Sequence, residues 1–422
     1  MSVPRTHRTI RRGFSLTLSE ALPPLKGIQA ALRKTSEALA RELAFPGPNA
    51  PDWSASEWRI ARAVAALHGV SSLLARRLQW RGPPGWEDFL CEQATHTAAR
   101  HVRITELLDA LDGRSRTAGV AFVPLKGAAL YAGGLYEAGE RPMADLDLLV
   151  APGDLGPMTR TLEAAGFAQT AVTIKHHVFE SSPRLDYAPF GEHSANPIKI
   201  ELHLRIAELL PRRTVDVTDL IMPLPPRPGL NGYRSTASLM VHLLLHASGA
   251  MLFRALRLVQ LHDIALLSAR MAAEDWDEVL AASGPQRGLW WALPPLKLVE
   301  RYYRVIPARV LAAAGRRCPA ALMRAAASQQ LWEVSMSDMR RSAFAGIGWA
   351  RSPGEALAYA LERALLSARV LGQSALARAP TGLSESRPPP GATAVPRLRW
   401  MSLRPVRTAT LNAVRHALAQ PR

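Results

Sequence analysis

The chain has 422 residues, room for two or three folded units, and its apolar share of 48% is ample for a sizeable core. A formal charge of +17, mostly from arginine and partly gathered at the two ends, draws polyanions without choosing between nucleotides, nucleic acid and an anionic membrane surface. The two cysteines, Cys91 and Cys318, show no ligand or disulfide spacing, which argues against a disulfide framework or a cysteine zinc site and fits a reducing cytoplasm.

Residues 1–13 read as a flexible basic arm, and no apolar segment of the kind a secretory signal needs follows it. Residues 14–112 read as helical. A first helix is expected over Ser15 to about Leu43, and Phe45-Pro-Gly-Pro-Asn-Ala-Pro51 is a break. Asp52 or Ser54 can cap a second helix, in which Trp58, Ala61, Val64, Ala65 and Leu67 recur at helical intervals. Gly82-Pro-Pro-Gly85 breaks the chain again before a helix from about Trp86 to Leu111.

Residues 113–225 change pattern and read as a mixed α/β core. Val120–Leu125 is a short apolar strand running through Lys126-Gly127 into a helix. Leu146–Val150 is a second strand, and Pro152-Gly-Asp154 opens a helix to about Ala165, stopped by Gly166. From Phe167 to Ile206, alternation and turn signals predict two or three strands. Strand, helix, strand, helix and strands is the order of an α/β (α+β) fold with a mixed sheet and helical cover. Residues 226–376 are helix-compatible; their longest apolar stretch, Leu239–Phe253, is short for a membrane span and carries His242 and His246, so a buried helix is expected. Residues 377–422 form a Pro- and Arg-rich basic tail expected to be largely disordered, with a short amphipathic helix within Leu398–Ala419 interrupted at Pro405.

Chemistry concentrates in three places. In Asp145-Leu-Asp-Leu-Leu-Val150, a strand turns Leu146, Leu148 and Val150 to the core and Asp145 and Asp147 to the other face, their Cα atoms about 6.5 Å apart. Two carboxylates that close repel, and a magnesium ion, with oxygen ligands at about 2.0–2.1 Å, relieves the conflict while keeping positions open for phosphate. In Ile198–Ile206 the alternation sends Lys199, Glu201, His203 and Arg205 to one face, where Glu201 can supply a third ligand or a general base. At Lys126-Gly127, glycine allows a close backbone approach to a ligand, and the helix start with the Lys126 cation suits phosphate. Arg141 precedes the aspartates and can pair with phosphate or with the carboxylates. Each piece alone also has an ordinary reading as a cap, a solvated strand face or a turn.

Taken together, Leu125-Lys-Gly-Ala-Ala-Leu130, Tyr136, Arg141-Pro-Met-Ala-Asp-Leu-Asp-Leu-Leu-Val150, Gly166-Phe167 and Ile200-Glu-Leu-His-Leu204 resemble a bacterial nucleotidyltransferase family within the polymerase-beta-like nucleotidyltransferase superfamily. The resemblance spans roughly Ser54 to Leu267 and takes in His68-Gly69-Val70 upstream and His242, His246 and Asp263 downstream. It implies a minimal nucleotidyltransferase core in which Asp145, Asp147 and Glu201 are the metal-binding catalytic carboxylates. Lys126, Gly127, Arg141 and His203 would then contact the nucleotide. The implied reaction is attack of an acceptor hydroxyl on the α-phosphorus of a nucleoside triphosphate, with Mg2+ or Mn2+ as cofactor and pyrophosphate released. The acceptor, whether small molecule, peptide or saccharide, is left open. The chain departs from the superfamily pattern in carrying Lys126-Gly127-Ala128, with no serine, at the phosphate turn.

Two other readings stay open: a nucleotide- or partner-binding module without turnover, and nucleic-acid or membrane-surface contact by the basic tails. His176-His177 is expected at a strand edge or near the site mouth, His242 and His246 on a partly buried helix face without the HExxH pattern, and His262-Asp263 at an ordinary charged helix position.

Overall fold

The computed structural model describes residues 23–173, 175–181, 190–282, 288–337, 346–362, 365 and 406–419. The basic arm and most of the tail lie outside these. The first helix, α1, is described over Leu25–Ala44; the expected start at Ser15 lies outside the described residues. α2 (Ala55–His68) is capped by Ser54, whose side chain accepts from the Glu57 amide while Glu57 returns to the Ser54 amide, and it ends on Gly69 at φ 65°. α3 (Ser71–Arg77) follows. α4 (Pro84–Ala118) runs past its expected end at Leu111, because its first left-handed stop is Gly119 at φ 70°.

The α/β core is as expected in class. β1 (Ala121–Pro124) leads into α5 (Gly127–Ala132) and β2 (Asp145–Val150) into α6 (Leu155–Ala164). β3 (Phe167–Val172), β4 (His176–Ser181) and β5 (Lys199–His203) complete the sheet with β8 (Gly229–Leu230), in the order β3-β4-β5-β2-β1-β8. β5 lies parallel to β2, and β4 antiparallel to β5. The nine-residue alternation at Ile198–Ile206 does not make one long strand. Pairing ends at His203, and the chain turns into the hairpin β6 (Ala207–Leu209) and β7 (Thr214–Asp216), where Arg205 pairs with Asp216 instead of sharing the Glu201 face.

Both faces of the sheet are covered. Phe122, Leu146, Leu148, Ile200 and Leu202 pack with Ile104 and Leu111 of α4 and with Met158 and Leu162 of α6. Val123, Leu125 and Leu149 join the second core, built with α8 (Thr236–Leu252) and α9 (Leu258–Arg270), which follow the short α7 (Thr218–Ile221). Each fully buried leucine here is worth about 1.5–3 kcal/mol. The carboxylate face of β2 is therefore roofed by helices, and Asp147 is buried. Downstream, α10 (Ala273–Ala282), α11 (Leu293–Tyr303), α12 (Ala308–Arg316), α13 (Ala320–Ser328) and α14 (Leu331–Ser335) extend the helical layer. No helix among the described residues is long and apolar enough to cross a membrane.

The short helix expected in the tail is present over Thr408–Ala419, and it is docked on α2: Val414 and Ala417 are fully buried, and Arg59 and Arg62 donate to the Leu418 and Ala417 carbonyls. Its apolar face finds a partner that composition alone did not reveal, and the arginines complement its carboxyl end.

Candidate active site

Strand register brings the three predicted carboxylates to one face. Asp147 stands opposite Glu201, and Asp145 opposite Lys199, along the parallel β2–β5 pair. On β4, His176 stands opposite His203. Side chains of period two on three neighbouring strands thus gather Asp145, Asp147, Lys199, Glu201, His203 and His176 on the surface facing α8 and α9.

Lysines hold this acidic wall together. The Lys126 ammonium lies 2.8 Å from Asp147 Oδ1, and His203 Nε2 lies 3.0 Å from the same oxygen. Burial works to raise the Asp147 carboxyl, but Lys126 and His203 outweigh it and hold the group well below the usual carboxylate range. Lys199 bridges Asp145 Oδ1 at 3.0 Å and Glu201 Oε1 at 2.7 Å. Burial raises the Asp145 carboxyl, and the Glu201 charge adds to this against the pull of Lys199. The donor set fits a hard divalent cation: three carboxylates share a face, and one ammonium already sits between two of them as a cation would.

The turn after β1 is built differently from the expectation. The left-handed residue is Lys126 itself, at φ 49° and ψ −115°, a strained conformation for a residue with a Cβ. Its amide donates to Tyr233 Oη at 3.3 Å, and that hydroxyl lies 2.7 Å from His242 Nδ1. Burial pushes His242 down to about 3, so the tyrosine hydroxyl meets a neutral ring. Gly127 is required for a protein contact: a Cβ there would lie 2.3 Å from Arg141 Nη1. α5 has six residues, too short for the helix-dipole phosphate site that the sequence suggested.

Arg141 is not paired with the aspartates of β2. Its Nε and Nη2 each donate to Asp263 at 2.7 Å, and its Nη1 donates to the Pro142 carbonyl. Tyr136 Oη donates to Asp263 Oδ1 at 2.7 Å as well, and Tyr131 Oη both accepts from the Arg141 amide and donates to its carbonyl. Asp263, expected to be an ordinary helix position, is thus a buried anchor. Its neighbour His262 is buried too and pushed by burial down to about 3, so it is not a charged position. His246, by contrast, lies half-buried on the cavity wall, as expected of a helix face.

The wall opens on a cavity of about 370 Å³ lined also by Gln260 and Arg257. Arg257 was not singled out by the sequence. Its Nε donates to the Leu67 carbonyl at 3.1 Å, it makes no ion pair among the described residues, and a Cβ on Gly69 would lie 2.5 Å from its Nη2. His68 Nδ1 accepts from the Leu258 amide at 3.1 Å. The His68-Gly69 motif at the end of α2 therefore fixes the start of α9 and makes room for a guanidinium on the cavity wall. His176, expected near an edge or at the site mouth, sits on an interior strand beside Glu201 at 3.5 Å.

No curated protein and no solved structure matches the chain. The model of a family described as uncharacterised nucleotidyltransferase matches residues 54–290, more than half of the chain and inclusive of every residue named at this site, so the chain belongs to that family.

Proposed function

We propose that the protein moves a nucleotidyl group from a nucleoside triphosphate to a hydroxyl of an acceptor, releasing pyrophosphate, with Asp145, Asp147 and Glu201 holding Mg2+ or Mn2+. The observation that carries this reading is the register pairing Asp147 with Glu201 at the wall of a helix-roofed cavity, with Asp145 on the same face. The cation, when bound, would neutralise and orient phosphate oxygens. Lys126 and Arg257 line the same cavity and would meet the remaining phosphate charge, the role that sequence reasoning gave to Arg141. His203 would orient Asp147, to which it is hydrogen-bonded, and the α8 and α9 roof would keep water from the activated phosphorus. Glu201 would accept the proton of the acceptor hydroxyl once Lys199 is displaced from it.

Asp145→Asn and Asp147→Asn are expected to abolish Mg2+-dependent nucleotide binding measured by calorimetry. Wild-type affinity in both variants would end this reading.

A second reading, nucleotide or partner binding without turnover, is favoured by one observation. Every carboxylate of the wall already has a lysine partner, Lys126 for Asp147 and Lys199 for Asp145 and Glu201. Mg2+-dependent binding with no pyrophosphate released across small-molecule, peptide and saccharide acceptors would select it.

A further inference from the structure

Glu201 presents its two oxygens to two different surroundings. Oε1 meets the Lys199 ammonium, and through it Asp145. Oε2 faces two imidazoles, with His176 Nδ1 at 3.5 Å and His203 Nε2 at 4.0 Å. The arrangement is built in by the sheet. His176 and His203 are cross-strand partners in the β4–β5 pair with ring centroids 5.1 Å apart, and Glu201 lies two residues along β5 on the same face. One ligand atom from each of the three lies within 4.8 Å of the others.

His176 Nδ1 is buried and has no hydrogen-bond partner. A buried ring nitrogen left unpaired costs free energy, so its persistence asks for a partner. The mixed set of two imidazoles and one carboxylate is the chemistry of a borderline transition metal and differs from the all-oxygen set that Mg2+ takes. Ligands on a tetrahedral zinc at about 2.0–2.1 Å lie roughly 3.4 Å from one another, close to the 3.5 and 4.0 Å that separate Glu201 Oε2 from the two imidazoles.

We propose that His176, Glu201 and His203 form a site for an imidazole-seeking divalent transition-metal ion of the Zn2+ class, and that Glu201 bridges this ion and the cation position beside Asp145. The inference deepens the proposed function, since it adds a second ion to the same wall, but it does not depend on turnover. Binding requires His203 Nε2 to exchange its contact with Asp147 for the metal. The Asp145 side would remain the Mg2+ position.

The test is a titration of the metal-stripped full chain with Co2+ in excess Mg2+, followed by visible absorption. Expected are ligand-field bands saturating at one equivalent and displaced by one equivalent of Zn2+. His176→Gln, which keeps size and polarity, should weaken Co2+ binding at least tenfold, with folding checked by its thermal transition. Asp145→Asn should keep the bands. Mg2+-dependent nucleotide binding is followed in parallel by calorimetry: its loss in the wild type would count against the proposed function and leave the Co2+ result standing. No bands in the wild type, unaltered binding in His176→Gln, or bands lost only in Asp145→Asn would each overturn the site, leaving His176 as an ordinary cross-strand partner of Glu201.

Discussion

Asp263 takes Nε and Nη2 of Arg141 in a two-pronged pair at 2.7 Å each, and both side chains are buried. A buried pair of this kind is of uncertain net value against an apolar replacement, but breaking it strands a charge. Asp263→Ala would leave Arg141 without its carboxylate beneath the α5 turn. It is expected to lose about 3–5 kcal/mol in urea unfolding. A loss under 1 kcal/mol would mean that water reaches the guanidinium.

Gly127 should be tested against the same arginine. A Cβ at this position would meet Arg141 Nη1 at 2.3 Å and Met143 Cγ at 3.0 Å, and Arg141 cannot swing away while Asp263 holds it. Gly127→Ala is expected to cost about 1–3 kcal/mol, as overpacking does. In an Arg141→Met background the same substitution should cost much less. Equal costs in the two backgrounds would show that Gly127 is needed for something other than the arginine.

Arg141 and the β2 carboxylates differ in how far the sequence reveals them. Alternation placed Asp145, Asp147 and Glu201 on a common face, because period two is a local property of a strand and survives any topology. Ser54 and Gly166 worked as the expected start and stop signals for the same reason. What failed depended on distant partners. Arg141 is 122 residues from Asp263, and no local pattern tells a pairing arginine from a free one. Lys199 stands next to Asp145 only through the β2–β5 register, and Arg257 reaches the cavity only because α9 starts against His68-Gly69. The length of β5 was misread because Leu204 and Ile206 continue the alternation after pairing has ended.

Arg257 gives a prediction separate from the metal-binding wall. Its guanidinium is held by the Leu67 carbonyl, lines the cavity and makes no ion pair among the described residues. A charge-assisted hydrogen bond to phosphate is worth about 1.5–3 kcal/mol. Arg257→Gln is therefore expected to weaken binding of a non-hydrolysable triphosphate by about ten- to a hundredfold in calorimetry, with pyrophosphate itself weakened in parallel. Unchanged affinity for both would place the phosphates elsewhere.

Three buried histidines set the acid limit of the fold. Burial pushes His68, His242 and His262 down to about 3 from an ordinary 6.5. Below pH 6.5 the unfolded chain takes up protons that the folded chain refuses, so stability present above that pH declines toward pH 3. At pH 5.5 each histidine is expected to cost roughly 1 kcal/mol, and the three together a few kcal/mol, relative to pH 7.5. His68→Gln should remove about a third of that slope in urea unfolding. A flat profile between the two pH values would mean that these rings protonate without leaving the fold.

Lys199 occupies the position that a divalent cation would take between Asp145 and Glu201, so the two compete for the same oxygens. Removing the ammonium in Lys199→Met leaves two nearby carboxylates with no counter-charge between them. The metal-free variant is expected to melt below the wild type, since like charges in one small region repel. Mg2+ should then bind more tightly than in the wild type, because it no longer has to displace a resident cation. A tenfold gain corresponds to about 1.4 kcal/mol, and it would show as a larger rise in melting temperature at a fixed Mg2+ concentration. If Mg2+ stabilised variant and wild type equally, the cation would be binding away from Asp145 and Glu201, and the three-carboxylate assignment would fail with it.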